Sequence, residues 1–254
     1  MLQRLCLAFA LALVGLIVPA EAQEAPSPPH QTWSFDGVFG TYDRAALQRG
    51  FQVYKEVCSA CHALKQIYFR DLTALGYTDD EVKAIAATYQ VTDGPNDQGQ
   101  MYQRPARPSD HIPGPFPNDQ AARAANNGAL PPDQSMLVSA RAGGPDYVDA
   151  ILNGYTEPPK GFKLLAGMNY NEYFPGHQIA MPPPLTTDGQ VTYADGTKAT
   201  VQQMAHDVAT FLAWASDPTL DQRHRTGFKV MLFLVVGVGV FYAAKRKTWS
   251  AIEH

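Results

Sequence analysis

Cysteine is scarce in this chain: 254 residues contain three, and one of them, Cys6, falls in an N-terminal segment with the character of a cleaved leader. That leaves Cys58 and Cys61, so no disulfide framework can hold the mature fold together. A structural zinc module is excluded on similar grounds, since it wants four ligands, commonly from two paired motifs, and no second cysteine pair exists. Net charge is also modest, −4, which speaks against a nucleic-acid partner. There is no internal repeat, and no low-complexity tract beyond the lead-in Ala25-Pro26-Ser27-Pro28-Pro29. Strand signals are few. Gln190-Val191-Thr192-Tyr193 followed by Ala194-Asp195-Gly196 gives at most one short hairpin. Proline and glycine, by contrast, are abundant at twenty each and concentrate between Gly94 and Pro184, which predicts a loop-rich middle.

The two remaining cysteines sit in Cys58-Ser59-Ala60-Cys61-His62. This is the attachment pattern of a c-type haem. Each thiol adds to one vinyl group of the porphyrin, and the adjacent imidazole reaches the iron as an axial ligand. The spacing suits the chemistry because one short helical turn presents both sulfurs and the imidazole to one side. A thioredoxin-like redox site built on Cys58 and Cys61 would want a strand before the motif, yet the preceding segment reads as an amphipathic helix. A dihaem peroxidase would need a second such motif.

Residues 1–22 read as a secretory signal peptide. Arg4 supplies the positive start, Leu5 to Val18 the apolar stretch, and Ala20-Glu21-Ala22 the small-x-small cleavage site. A second apolar run, Phe228 to Ala244, reads as a membrane span, with Lys229 able to snorkel to the interface. The basic cluster Lys245-Arg246-Lys247 behind it marks the cytoplasmic side. The expected organisation is a haem domain over 23–226 outside the cytoplasm, an anchor over 227–244 and a tail over 245–254.

Three helices are legible: about Asp43 to Val57, with Leu47, Phe51 and Tyr54 on one face; Thr78 to Tyr89, opened by the capping box Thr78-Asp79-Asp80-Glu81; and Val201 to Ser216, striped by Val201, Met204, Val208, Phe211, Leu212 and Ala215. The acidic run at Asp79 reads as a capped helix start rather than a docking patch. One helix before the haem motif and one at the end of the domain suit the class I cytochrome c fold. The second axial position has two candidates. Met181 precedes Pro182-Pro183-Pro184, which holds it in a stiff extended segment, and His177 lies four residues earlier.

At this point the sequence resembles a known family, cytochrome c1, the haem c subunit of the bacterial cytochrome bc1 complex (ubiquinol–cytochrome c oxidoreductase). The resemblance rests on the haem motif, on Arg104-Pro105, and on the run from Ala121 to Asp133 that contains Asn126-Asn127-Gly128-Ala129-Leu130-Pro131-Pro132. It continues through Ala140 to Val148, Asn153-Gly154-Tyr155, and Met181-Pro182-Pro183-Pro184-Leu185. It implies a mainly α, class I cytochrome c-like haem domain with long Pro/Gly-rich loop insertions and one C-terminal transmembrane helix. It further implies one covalent haem c with His62 and Met181 as iron ligands, Arg141 and Tyr147 at the propionates, and Asn126, Pro131, Phe174 and Ile179 lining the pocket. The implied role is outer-sphere electron transfer, from a Rieske iron–sulfur protein to a cytochrome c. The chain would be a subunit of quinol–cytochrome c reductase, beside cytochrome b, in a dimeric complex at the inner membrane, and no residue of its own would be catalytic. A membrane-anchored mono-haem cytochrome outside any such complex shares every local feature.

Overall fold

Asp43 opens the first helix by accepting the Ala45 N–H at 2.9 Å, and α1 runs Arg44–Glu56 with Val57 as its C-cap, so the expected span includes both caps. In this computed structural model, which describes residues 25–250, α1 leads straight into a 3-10 turn at Cys58–Ala60. The expected leader lies outside the described residues. Leu47, Phe51 and Tyr54 are buried, as their helical spacing implies.

Down the chain follow β1 (Leu64–Tyr68), α2 (Asp79–Ala87), β2 (Gln90–Asp93), β3 (Tyr102–Pro105), β4 (His111–Ile112), α3 (Asp119–Ala125) and α4 (Gly144–Asn153). Then come β5 (Asn169–Tyr170), β6 (Gln178–Ile179), α5 (Val201–Ser216) and α6 (Leu220–Trp249). The fold is mostly helical. Among the described residues the strands form three two-stranded antiparallel ribbons, β1 with β4, β2 with β3, and β5 with β6, which stiffen the loops rather than build a layer. The Thr78–Glu81 capping box is present at the start of α2.

The core is organised on α5, which is buried on every side from Val208 to Ser216 and packs between α1 and α4. Met204 sits wholly inside it, as its place on the stripe implies. Phe211 meets Phe51 and Tyr54 with ring centroids 5.6 and 5.8 Å apart. The contact of α1 with α5 is backbone-close at Gly50. A β-carbon there would lie 2.0 Å from the Asp207 carbonyl oxygen and 2.7 Å from the Phe211 β-carbon. The next residue back, Arg49, grips the fully buried Asp207 carboxylate through Nε at 2.9 Å and Nη2 at 3.0 Å, and reaches Asp195 at 2.8 Å. A buried carboxylate is tolerable only with such a bidentate partner.

Two sequence expectations change here. Residues 190–196 form no hairpin. Val191 and Tyr193 do alternate, but both side chains are buried against the core, and the Thr192 carbonyl accepts from Gln52 of α1 at 2.9 Å instead of from a second strand. The C-terminal helix is also longer than its apolar run. Residues 220–227 are polar but helical, and they dock on the segment that precedes α1. Asp221 Oδ1 accepts the Tyr42 N–H at 3.1 Å, and His224 Nδ1 donates to the Gly40 carbonyl at 2.7 Å. Only Asp217-Pro218-Thr219 separates α5 from α6. The apolar part of α6 has a mean hydropathy of 2.0 over its best window, none of it buried against the protein. A helix of this length and composition can cross a bilayer.

Arg104 ties two of the ribbons together. It pairs with Asp93 across the β2–β3 hairpin and with both oxygens of Asp110, at 2.6 and 3.0 Å, just before β4. This arginine holds the Asp110 carboxyl down at about 2. A depressed carboxylate contributes its stability above the ordinary value near 4 and loses it as pH falls towards 2. Arg104→Gln should therefore lower stability slightly at neutral pH, the effect being weakened by solvent screening. The difference from the parent should vanish below roughly pH 2. Urea melts at pH 7 and pH 2 measure both.

Candidate haem-binding site

The haem motif is positioned by α1 and held from the far side by residues 131–135. The Cys61 and His62 N–H groups both donate to the Cys58 carbonyl, at 3.1 and 2.9 Å, so the five residues form one tight turn. Tyr54, buried in α1, donates its hydroxyl to the His62 carbonyl at 3.2 Å. Opposite, the Gln134 N–H donates to the Ala63 carbonyl at 2.9 Å, and the Lys65 N–H to Asp133 at 3.0 Å. Both thiols are free, that of Cys58 half-buried and that of Cys61 exposed.

His62 is 8% exposed, and its Nδ1 lies 2.8 Å from the Pro132 carbonyl oxygen. A carbonyl can only accept, so Nδ1 carries the proton and Nε2 keeps its lone pair. Burial pushes the imidazole below its ordinary pKa, which favours the same neutral form. A neutral ring, fixed in tautomer by a hydrogen bond on its other nitrogen, is the state of a metal-ligating histidine. With two unpaired sulfurs on the same turn, the donor set fits a covalently tethered haem. A cleft of about 250 Å³ beside the motif is lined by Cys61, Ala122, Leu130 and Pro131, among others.

A second group of residues gathers around α4 and the β5–β6 ribbon. The Met181 carbonyl is pinned by two donors, the Tyr155 hydroxyl at 3.1 Å and the Asn169 side-chain amide at 3.3 Å, which leaves the thioether as the free end of a fixed backbone. Met181 itself is half-buried. Ile179 is buried and pairs with Asn169, and Phe174 precedes the turn that leads to it. His177 has positive φ, its ring stacks on Tyr170 with centroids 5.5 Å apart, and its Nδ1 faces the Asn171 carbonyl at 3.3 Å. Tyr147, on the first turn of α4, is half-buried. Burial raises its hydroxyl pKa, and the neighbouring Arg141 guanidinium works in the opposite direction. Arg141 is exposed and otherwise reaches only the Ala140 carbonyl, at 3.3 Å.

The structure thus brings Cys61 and Pro131 together at one cleft, and Arg141 together with Tyr147. Among the described residues no hydrogen bond joins the Met181 loop to the His62 turn. The side chain of Asn126 is spent on capping α3, donating to the Ala122 carbonyl at 2.7 Å, so it acts one step behind the cleft wall. Sequence reading missed Tyr54, the Pro132 carbonyl, Asp133, Tyr155 and Asn169 as positioning groups. Tyr155 was marked by its place in Asn153-Gly154-Tyr155. Backbone acceptors such as Pro132 leave no residue-type signal at all.

Known proteins supply the remaining comparison. A sequence profile described as the Cytochrome C1 family matches residues 33–252. "Cytochrome c1" of Rhodospirillum rubrum is 46% identical over 266 residues, covering 96% of this chain and 97% of that protein. "Cytochrome b/c1" of Bradyrhizobium diazoefficiens is 48% identical over 260 residues; the match covers 93% of this chain but spans only 38% of that longer protein. "Cytochrome c1, heme protein, mitochondrial" of Schizosaccharomyces pombe is 49% identical over 222 residues, 87% of this chain and 72% of the relative.

Proposed function

The chain belongs to the cytochrome C1 family, and on that premise we propose that it is the membrane-anchored, single-haem electron carrier of a quinol–cytochrome c reductase. It takes one electron from a Rieske iron–sulfur protein and passes it to a cytochrome c. Cytochrome b is the neighbouring subunit, α6 is the single span, and the haem domain faces the periplasm of the inner membrane in a dimeric complex. The observation that carries this reading is the buried, tautomer-fixed His62 on the same turn as two free thiols.

When bound, haem c supplies a one-electron ferric/ferrous couple. The residues of the chain do the rest. Cys58 and Cys61 would tether the porphyrin edge, and His62 would offer Nε2 to the metal. Met181 would offer its thioether from a backbone fixed by Tyr155 and Asn169, leaving the metal no place for a substrate. Arg141 and Tyr147 present a cation and a hydroxyl to the propionates, whose charge is costly to bury without such partners. Pro131, Phe174 and Ile179 shape the wall, and Asn126 supports it from behind by capping α3. Thioether ligation and an apolar surround both favour the reduced, less charged state, as an acceptor late in a chain requires.

Met181→Leu tests the ligand assignment. Carbon monoxide should bind the reduced variant and not the reduced parent. The potential should fall by about 100 mV or more, a roughly 50-fold change in the one-electron equilibrium. If neither property moves, another side chain is the ligand, His177 first. The complex assignment is tested by co-purification of a cytochrome b and an iron–sulfur subunit from native membranes. Their absence would leave a solitary membrane cytochrome.

A further inference from the structure

The loop 34–41 carries two large apolar side chains that the core does not use. It is closed at its base by the Thr41 N–H donating to the Ser34 carbonyl at 3.0 Å, and within by Gly40 N–H to the Gly37 carbonyl at 3.3 Å. Trp33, Phe35 and Tyr42 around that base are buried. At the apex Val38 and Phe39 are 78% and 75% exposed. The backbone enforces this. Gly37 has φ +74°, and a β-carbon on Gly40 would lie 2.3 Å from the Asp36 carbonyl oxygen, so the turn is too tight to fold its apex back inside. Exposed apolar pairs on a fixed loop mark a contact surface.

The place of that apex identifies the contact. The His224 ring bonds the Gly40 carbonyl, and the Phe39 ring meets Phe228 edge-on with centroids 5.9 Å apart. Phe228 is the first residue of the apolar run of α6, so Val38 and Phe39 stand level with the point where the span enters the bilayer. Between loop and helix lies a cleft of about 430 Å³, lined by Phe39, Thr41, His224, Arg225, Phe228 and Lys229. Arg225 and Lys229 lie four apart, on one face of α6, and neither has a carboxylate partner among the described residues. An apolar slot rimmed by two cations at the membrane surface has the chemistry of an anionic phospholipid: acyl chain against the rings, phosphate against the guanidinium and ammonium.

We propose that the Val38–Phe39 apex inserts into the leaflet on the haem-domain side and that the cleft beside it holds one anionic phospholipid, giving the domain a second membrane attachment besides α6. The proposal rests on α6 being a membrane span. Photo-cross-linking tests it on the full chain in membranes, with Phe39 replaced by p-benzoylphenylalanine. Irradiation should attach one phospholipid, read as a mass increase of the polypeptide. A cross-link to another polypeptide, or none, overturns the proposal. If the chain meanwhile resists extraction by alkaline carbonate, the span itself stands. In vesicles of phosphatidylglycerol and phosphatidylcholine, R225Q/K229Q should lower the phosphatidylglycerol share of the adduct about tenfold or more. An unchanged ratio overturns the headgroup pairing. The unmodified chain, after detergent exchange, should retain one phospholipid by native mass spectrometry, and retention of none counts against the site independently of any variant.

Discussion

A chain carrying Cys58→Ala and Cys61→Ala together should mature without covalent pigment. On the proposed attachment each sulfur contributes one thioether link, so a single replacement leaves a tether and the double replacement leaves none. What would remain are coordinate bonds from His62 and Met181, which depend on the folded state, because the His62 turn and the Met181 loop are separate segments of the chain. Haem staining after denaturing electrophoresis reads this directly. The parent keeps its colour, each single variant keeps a weaker band, and the double variant loses it completely. A pigmented double variant would sink the assignment of the motif.

The second large effect is expected far from the iron, at Gly50→Ala. On an isolated helix this change is favourable by up to about 1 kcal/mol, because glycine is a poor helix former. Here the added methyl would sit 2.0 Å from the Asp207 carbonyl oxygen, with the Asp207 carbonyl carbon and the Phe211 β-carbon each at 2.7 Å. Nothing flexible can yield, so α1 must lift away from α5. That movement also draws Arg49 off the fully buried Asp207, and leaving a buried charge without its partner costs about 3–5 kcal/mol. The clash and the stranded carboxylate outweigh the propensity gain, and the net loss should be about 3 kcal/mol or more. Chemical denaturation of the detergent-solubilised protein, followed by circular dichroism, measures it. Gly227→Ala, a helical glycine with no neighbour within 4 Å of the added atom, is the control and should be neutral or slightly stabilising. Equal stability of Gly50→Ala and parent would refute the close-packed crossing.

Much of this architecture could be read before any coordinates. Asp43, the Thr78–Glu81 box and the stripe from Val201 carry local signals, a cap, a reciprocal pair of hydrogen bonds and a 3.6-residue period, and all three helices form where those signals lie. The helices α3 and α4 were not legible. α3 is only seven residues long, and α4 begins at Gly143-Gly144-Pro145, which reads locally as a turn although Val148, Ala150 and Ile151 make an apolar face. The two-residue strands carry no period to detect. In the candidate site, the residues proposed to tether and ligate were marked because that chemistry is tied to residue type and spacing. The groups that aim them were not. Tyr54 acts through its hydroxyl on a backbone carbonyl, Pro132 through its own carbonyl, and Tyr155 and Asn169 through the Met181 carbonyl; such partners are set by tertiary approach.

The three-residue turn between α5 and α6 has a mechanical consequence. Only three residues join the central helix of the domain to the apolar helix, and Tyr42 and His224 brace that joint from the side. A joint this short, hydrogen-bonded from one side, restricts how far the apolar helix can turn relative to the domain it leaves.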